Sequence, residues 1–290
     1  MRDPVIRPEA AVALAAAGGA TFLDVRWALG RTDGHEQYLA GHVPGAAFVD
    51  LETDLAAPVG DGSRGRHPLP EPETFAAAMR RAGVRMDRPV VVYDGVAGTS
   101  AARAWWLLEH HGHDDVRVID GGWSHYVAAG GPVATGEERP DEGDFVAGPG
   151  RLRVLDADGA ARVAREGVLI DARAPERYRG EVEPVDPVAG HIPGAVNVPT
   201  AANLIQVDST WNQRFLMLDD LSVAYERAFE RAGVDPSRAQ EVEVAAYCGS
   251  GVTATHDVLA LRRLGVDAAL YAGSWSEWVQ DPSRPVATGP

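Results

Sequence analysis

Short apolar runs alternate along this chain with longer stretches of helical periodicity. Val90–Tyr93 is an unbroken β-branched run, residues 100–111 are amphipathic with period 3.6 and stop at Gly112, and Val116–Ile119 is apolar again. The same order returns later, as residues 242–247, residues 253–264 closing at Gly265, and Ala268–Tyr271. Strands that alternate with helices predict an α/β fold, a parallel sheet covered by helices on both faces. In such folds the ligand crevice opens at the carboxyl ends of the strands.

The recurrence is a duplication of nearly the whole chain. Phe22-Leu23-Asp24-Val25-Arg26 pairs with Leu169-Ile170-Asp171-Ala172-Arg173, and Gly41-His42-Val43-Pro44-Gly45-Ala46 pairs with Gly190-His191-Ile192-Pro193-Gly194-Ala195. Further on, the strand ending at Asp94 pairs with the one ending at Cys248, and Asp120-Gly121-Gly122-Trp123 pairs with Ala272-Gly273-Ser274-Trp275. Four landmarks in one order define two copies of a single domain. The Gly-, Pro- and acid-rich stretch around residues 136–151 reads as the connection between them. The predicted organisation is an N-terminal domain at 1–137, a linker at 138–152 and a C-terminal domain at 153–290. The Ala-rich stretch at residues 10–17 resembles the apolar part of a signal peptide, but its counterpart near residue 160 marks it as a structural helix.

Composition narrows the partners. The net charge of −15 leaves no basic excess to neutralise phosphates, so nucleic-acid binding is not expected. No segment has the roughly 18 to 20 consecutive apolar residues of a membrane helix. All 27 basic residues are arginines, which rules out Schiff-base chemistry. The single cysteine, Cys248, excludes an internal disulfide and a cysteine-based metal site, and fits a reducing compartment, the cytoplasm.

That cysteine has a nucleophile's surroundings. It ends an apolar strand and opens Cys248-Gly249-Ser250-Gly251-Val252-Thr253, a small-residue loop leading into a helix, where N–H groups and the helix dipole favour a thiolate. Many free cysteines are only small buried hydrophobes. Here the glycines on either side of Ser250 suit a loop wrapped around an anion. The first copy carries Asp94 at this position, and a carboxylate is a far poorer nucleophile than a thiolate. The first copy is therefore expected to be catalytically silent.

Taken together, the Gly-His-Ile-Pro-Gly-Ala boxes, the Asp-for-Cys replacement, the late Gly-Ser-Trp and the Cys248 loop resemble the two-domain rhodanese-type sulfurtransferases. The resemblance implies two tandem rhodanese-like domains, with Cys248 accepting a sulfane sulfur as a persulfide and passing it to a thiol or cyanide. The uncharged Gly249 and Ser250 are similar to the 3-mercaptopyruvate branch. The resemblance further implies a relay of Ser250, His67 and Glu52, and a substrate pocket of Arg179, Trp27 and the loop residues Gly249, Gly251, Val252 and Thr253. Arg179 would bind the substrate carboxylate. The family commonly has a second arginine just before its Gly-His-Ile-Pro-Gly box. This chain reads Glu183-Pro184-Val185-Asp186-Pro187-Val188-Ala189 there, so weaker carboxylate binding, with a raised KM or another substrate, is expected unless Arg214 or an arginine of the N-terminal half replaces it. The implied partners are a small-molecule sulfur donor and a thiol acceptor such as a thioredoxin-like protein, and no metal or organic cofactor is required. Alternatives are thiosulfate:cyanide sulfurtransfer with the same cysteine, and a noncatalytic sulfur-carrier or binding module. A dual-specificity phosphatase is disfavoured, because its loop needs an arginine six residues after the cysteine and position 254 is alanine.

Overall fold

The computed structural model describes residues 2–207 and 213–290, which divide into two compact units. The first comprises residues up to Ala57, Leu69–Leu152 and Gln206–Phe215; the second comprises Pro58–Pro68, Arg153–Ile205 and Leu216–Pro290. Each half of the chain thus lends one short segment to the unit built mainly from the other half.

The first unit holds strands β1 (Val5–Ile6), β2 (Thr21–Asp24), β3 (Ala47–Phe48), β4 (Val90–Tyr93) and β5 (Val116–Ile119), all parallel, in the order β1-β5-β4-β2-β3. Its helices are α1 (Pro8–Ala16), α2 (Gly34–Ala40), α3 (Leu51–Asp54), α4 (Pro72–Arg81), α5 (Ala101–His110) and α6 (Gly122–Ala128). In the second unit come β6 (Val154–Leu155), β7 (Val168–Asp171) and β8 (Val196–Asn197). Two short strands, β9 (Leu204–Gln206) and β10 (Gln213–Phe215), precede β11 (Val244–Tyr247) and β12 (Ala268–Tyr271). The second sheet runs β6-β12-β11-β7-β8, again parallel and in the same relative order as the first. Its helices are α7 (Ala157–Glu166), α8 (Pro175–Tyr178), α9 (Leu218–Arg231), α10 (Ala254–Arg263) and α11 (Ser274–Trp278).

Strand side chains alternate between faces, and both faces of the second sheet are apolar. Leu169, Ala245, Tyr247, Ala269 and Tyr271 pack with Ala160 and Val163 of α7 and with Trp275. The intervening Ile170, Val244, Ala246 and Leu270 are buried too, on the side where α10 packs against β11 and β12. Strand β11 starts two residues later than its apolar pattern suggests, because Glu243 turns to an ion pair with Arg153 and Arg162.

The repeated Gly-His-X-Pro-Gly-Ala box proves to be scaffolding. In the second unit His191 stacks on Tyr178 at 3.8 Å between ring centroids, and its Nδ1 lies 2.8 Å from the Tyr178 carbonyl. Burial lowers the His191 pKa, which keeps the ring neutral. Next to it, Ile192 N–H donates to the Tyr247 hydroxyl at 3.1 Å. Arg173 lies over Trp275, forks onto Asp171 and donates to the Gly190 carbonyl at 2.6 Å. The first unit repeats every one of these contacts with His42, Tyr38, Val43, Tyr93, Arg26, Trp123, Asp24 and Gly41. These boxes fasten the end of β2 or β7 to the turn before β3 or β8, which is why both copies keep them.

Candidate active site

Cys248 follows β11 directly and is 2% exposed. Its loop is set by glycine where nothing else fits: Gly251 has φ +78°, and a Cβ there would stand 2.2 Å from the Ala272 carbonyl. The start of α11 closes over the loop from the other side. Cys248 N–H donates to Ser274 Oγ at 3.1 Å, Trp275 N–H to the Cys248 carbonyl at 3.0 Å, and Ser276 N–H to the Gly249 carbonyl at 2.9 Å. Ser274 holds this place at φ +55°, a conformation a serine adopts only when its surroundings impose it. The sulfur then faces the loop's own donors. Gly251 N–H lies 3.1 Å from Cys248 Sγ, and the N–H groups of Val252, Thr253 and Ala254 meet no acceptor among the described residues.

The first unit displays the same loop with its anion in place. Asp94 Oδ1 accepts from Val96 and Gly98 N–H at 2.8 and 2.9 Å, and Oδ2 accepts from Ser100 and Ala101 N–H at 2.8 and 2.9 Å. Ser100 Oγ adds a fifth contact at 3.0 Å. A strand-end side chain feeding a helix-start cradle of N–H groups is the shared design.

Segment 58–68 brings two further groups to the Cys248 loop. His67 is 5% exposed and its Nδ1 lies 2.7 Å from Ser250 Oγ, so the histidine–serine pair anticipated from the sequence forms. Gly65 makes the approach possible: at φ +81° a Cβ would stand 2.6 Å from the Gly273 carbonyl. Its neighbour Arg66 donates its backbone N–H to Ser276 Oγ at 3.1 Å. The Arg66 guanidinium ends 3.0 Å from where a Gly249 Cβ would be, and its buried Nε has no hydrogen-bond partner among the described residues. Trp27 and Glu52 belong to the first unit, where Trp27 Nε1 donates to Glu52 Oε1 at 2.8 Å.

The arginine assignment changes. Arg179 caps the single-turn helix α8 and forks onto Glu181 at the surface, at 2.7 and 2.8 Å, so the structure does not bring its guanidinium to the loop. Arg177, two positions earlier, does reach it: both terminal nitrogens lie 3.7 Å from the Gly249 Cβ position. Two helical residues are about 200° apart around the axis, so Arg177 and Arg179 must face opposite ways. A helix start at Pro175 is the sequence signal that separates them. Arg214 is no replacement for the missing second arginine either, because Asp120 of the first unit binds it at 2.6 and 2.9 Å. Sequence reasoning named neither Arg66 nor Arg177, although both border the cysteine loop.

Acidic side chains hold these two arginines. Glu183 forks onto Arg177 at 2.6 and 3.1 Å, and Asp186 bridges from Arg177 at 3.3 Å to a close ion pair with Arg66. Burial raises the Glu183 pKa, but hydrogen bonds from Arg177 and from the Asp186 and Val185 N–H groups outweigh it, and the carboxyl sits below its ordinary value. For Asp186 burial prevails over the pull of Arg66, and its pKa is raised.

Comparison with known proteins agrees with this architecture. The Rhodanese-like domain family matches residues 7–129 and 156–281. A Pseudomonas aeruginosa protein named "Probable 3-mercaptopyruvate sulfurtransferase" is 46% identical over 92% of both chains. A Mycobacterium tuberculosis protein named as a proposed thiosulfate sulfurtransferase is 44% identical, over 93% of this chain and 91% of its own. Among solved structures, an Escherichia coli 3-mercaptopyruvate sulfotransferase superposes with a TM-score of 0.79 at 31% identity, covering 94% of this chain and 99% of its own.

Proposed function

Since the chain belongs to the rhodanese-like family and its relatives are sulfurtransferases, we propose that it moves sulfane sulfur from 3-mercaptopyruvate through a Cys248 persulfide to a thiol or cyanide. One observation carries this reading: the loop that encloses a carboxylate at Asp94 presents its N–H groups to a thiol sulfur at Cys248. The Cys248 thiolate attacks the donor sulfur, the donor's carbon–sulfur bond breaks, and its electron pair leaves with pyruvate enolate. The outer persulfide sulfur sits among the N–H groups of Gly249 to Thr253. Arg177 and Arg66 take the donor carboxylate, in the role the sequence suggested for Arg179. The Ser250–His67 pair moves the proton from the donor thiol to the enolate, and Glu52 serves as its acid. An acceptor thiolate then attacks the outer sulfur, and the sulfur–sulfur bond breaks to return the Cys248 thiolate.

Trp27 is a pocket wall in this reading, and a small thiol or a thioredoxin-like protein is the acceptor. A cytoplasmic setting keeps the single cysteine reduced; among the described residues no helix is long and apolar enough to cross a membrane. Thiosulfate is the second reading, favoured by the two guanidiniums beside Gly249 and by the mycobacterial relative's name. Side-by-side steady-state kinetics separate the two. We expect kcat/KM for mercaptopyruvate to exceed that for thiosulfate by at least about tenfold, and equal or reversed values would sink the assignment.

A further inference from the structure

We propose that Asp186 is a specificity-determining residue, a built-in counter-ion that tunes the anion site for singly charged sulfur donors. The proposal rests on the sulfurtransferase reading above and deepens it.

Two guanidiniums border Gly249, and two positive charges by themselves would favour a dianion such as thiosulfate. They do not stand alone. Asp186 contacts both arginines through its two carboxylate oxygens, and Glu183 holds the far side of Arg177 and reaches Arg173 at 3.4 Å. With the Arg173–Asp171 pair beneath, three guanidiniums meet three carboxylates in one cluster. The cluster is neutral before any donor enters. Only 3% of the Asp186 and Glu183 side chains is exposed, so water screens their charges poorly from an incoming anion. Arg66 nevertheless keeps binding capacity, since its Nη1 serves Asp186 while its Nη2, 3.0 Å from the Gly249 Cβ position, makes no hydrogen bond among the described residues. A carboxylate with one charge can use that capacity. A second negative charge would lie against Asp186 and Glu183, whose own charges already offset the two guanidiniums.

Asp186 is also anchored independently of its arginines. Its N–H and that of Val185 donate to Glu183 Oε1 at 3.1 and 3.0 Å, and Trp275 Nε1 fixes the same segment by donating to the Val188 carbonyl at 2.8 Å. Removal of the charge alone should therefore leave the segment in place.

The test is donor selectivity in Asp186→Asn and Asp186→Glu. For Asp186→Asn we expect kcat/KM with thiosulfate to rise about tenfold while that with mercaptopyruvate stays within about threefold, and Asp186→Glu should keep the wild-type ratio. An unchanged ratio in Asp186→Asn overturns the proposal. So does an equal fall with both donors, which would make Asp186 only a support for Arg66. If Asp186→Asn does not fold, inhibition of the wild-type enzyme decides the matter: pyruvate, a monoanion, should inhibit at least about tenfold more tightly than sulfate, and equal or reversed inhibition refutes the counter-ion. Turnover surviving in Cys248→Ser would instead overturn the underlying reading, a result these ratios cannot mimic.

Discussion

The loops after β4 and β11 leave equivalent strands and enter equivalent helices, yet one is closed on itself and the other faces outward chemically. Asp94 places its own carboxylate in the cradle, and at least four N–H groups are satisfied within the chain. Cys248 places a sulfur with one N–H at 3.1 Å and leaves later donors of its loop without an acceptor among the described residues. The surroundings diverge in step. Where the second unit receives Arg66 and His67, the first receives Arg214, bound by Asp120, and Phe215, against which Gly98 lies closely. Gln37 stands before Tyr38 where Arg177 stands before Tyr178. A binding cradle becomes a structural plug when a side chain supplies the anion.

The comparison can be broken most severely at its two centres. Cys248→Ser should reduce turnover to background, a loss of at least about 10⁴-fold, and Asp94→Cys in that background should restore nothing, because the first unit has Gln37 where the second has Arg177. Persulfide formation on the introduced cysteine, followed by mass spectrometry, would contradict the contrast. Asp94→Ala strands several buried donors, so chemical denaturation should show a loss of about 2–4 kcal/mol, with Cys248 still reactive. The equivalent Cys248→Ala change should cost under about 1 kcal/mol, since no internal anion is lost. At the smaller end, Arg177→Gln, which copies the first unit, should raise KM for mercaptopyruvate about 10- to 100-fold. Arg179→Gln should change it less than about twofold; the opposite ranking would return the carboxylate to Arg179.

Much of the fold was legible in the sequence because it is written in local periodicity and then repeated. The strands Val90–Tyr93, Val116–Ile119 and Ala268–Tyr271 coincide with their apolar runs. Cys248 stood out through the small residues of its loop, and Ser250 and His67 through resemblance. Arg177 was hidden by a rotation: choosing between 177 and 179 depends on where a four-residue helix begins. Arg66 was hidden by distance, since it meets Asp186 across 120 positions of chain and nothing near it in sequence marks that encounter. The Asp94 cage was hidden by chemistry. Its position announced a lost nucleophile, but not that the replacement would satisfy the loop that remained.

The exchange of segment 58–68 has a consequence for descent. A duplicated domain whose copy has lost its chemistry is ordinarily free to be deleted. Here the stretch bearing Arg66 and His67 lies in the first half of the chain, yet it belongs to the second unit, where His67 meets Ser250. Truncation to the C-terminal half would remove both residues along with the Asp94-bearing domain. On the proposed reading the Asp94 copy is kept as a donor of parts, and the two halves are bound to be inherited together.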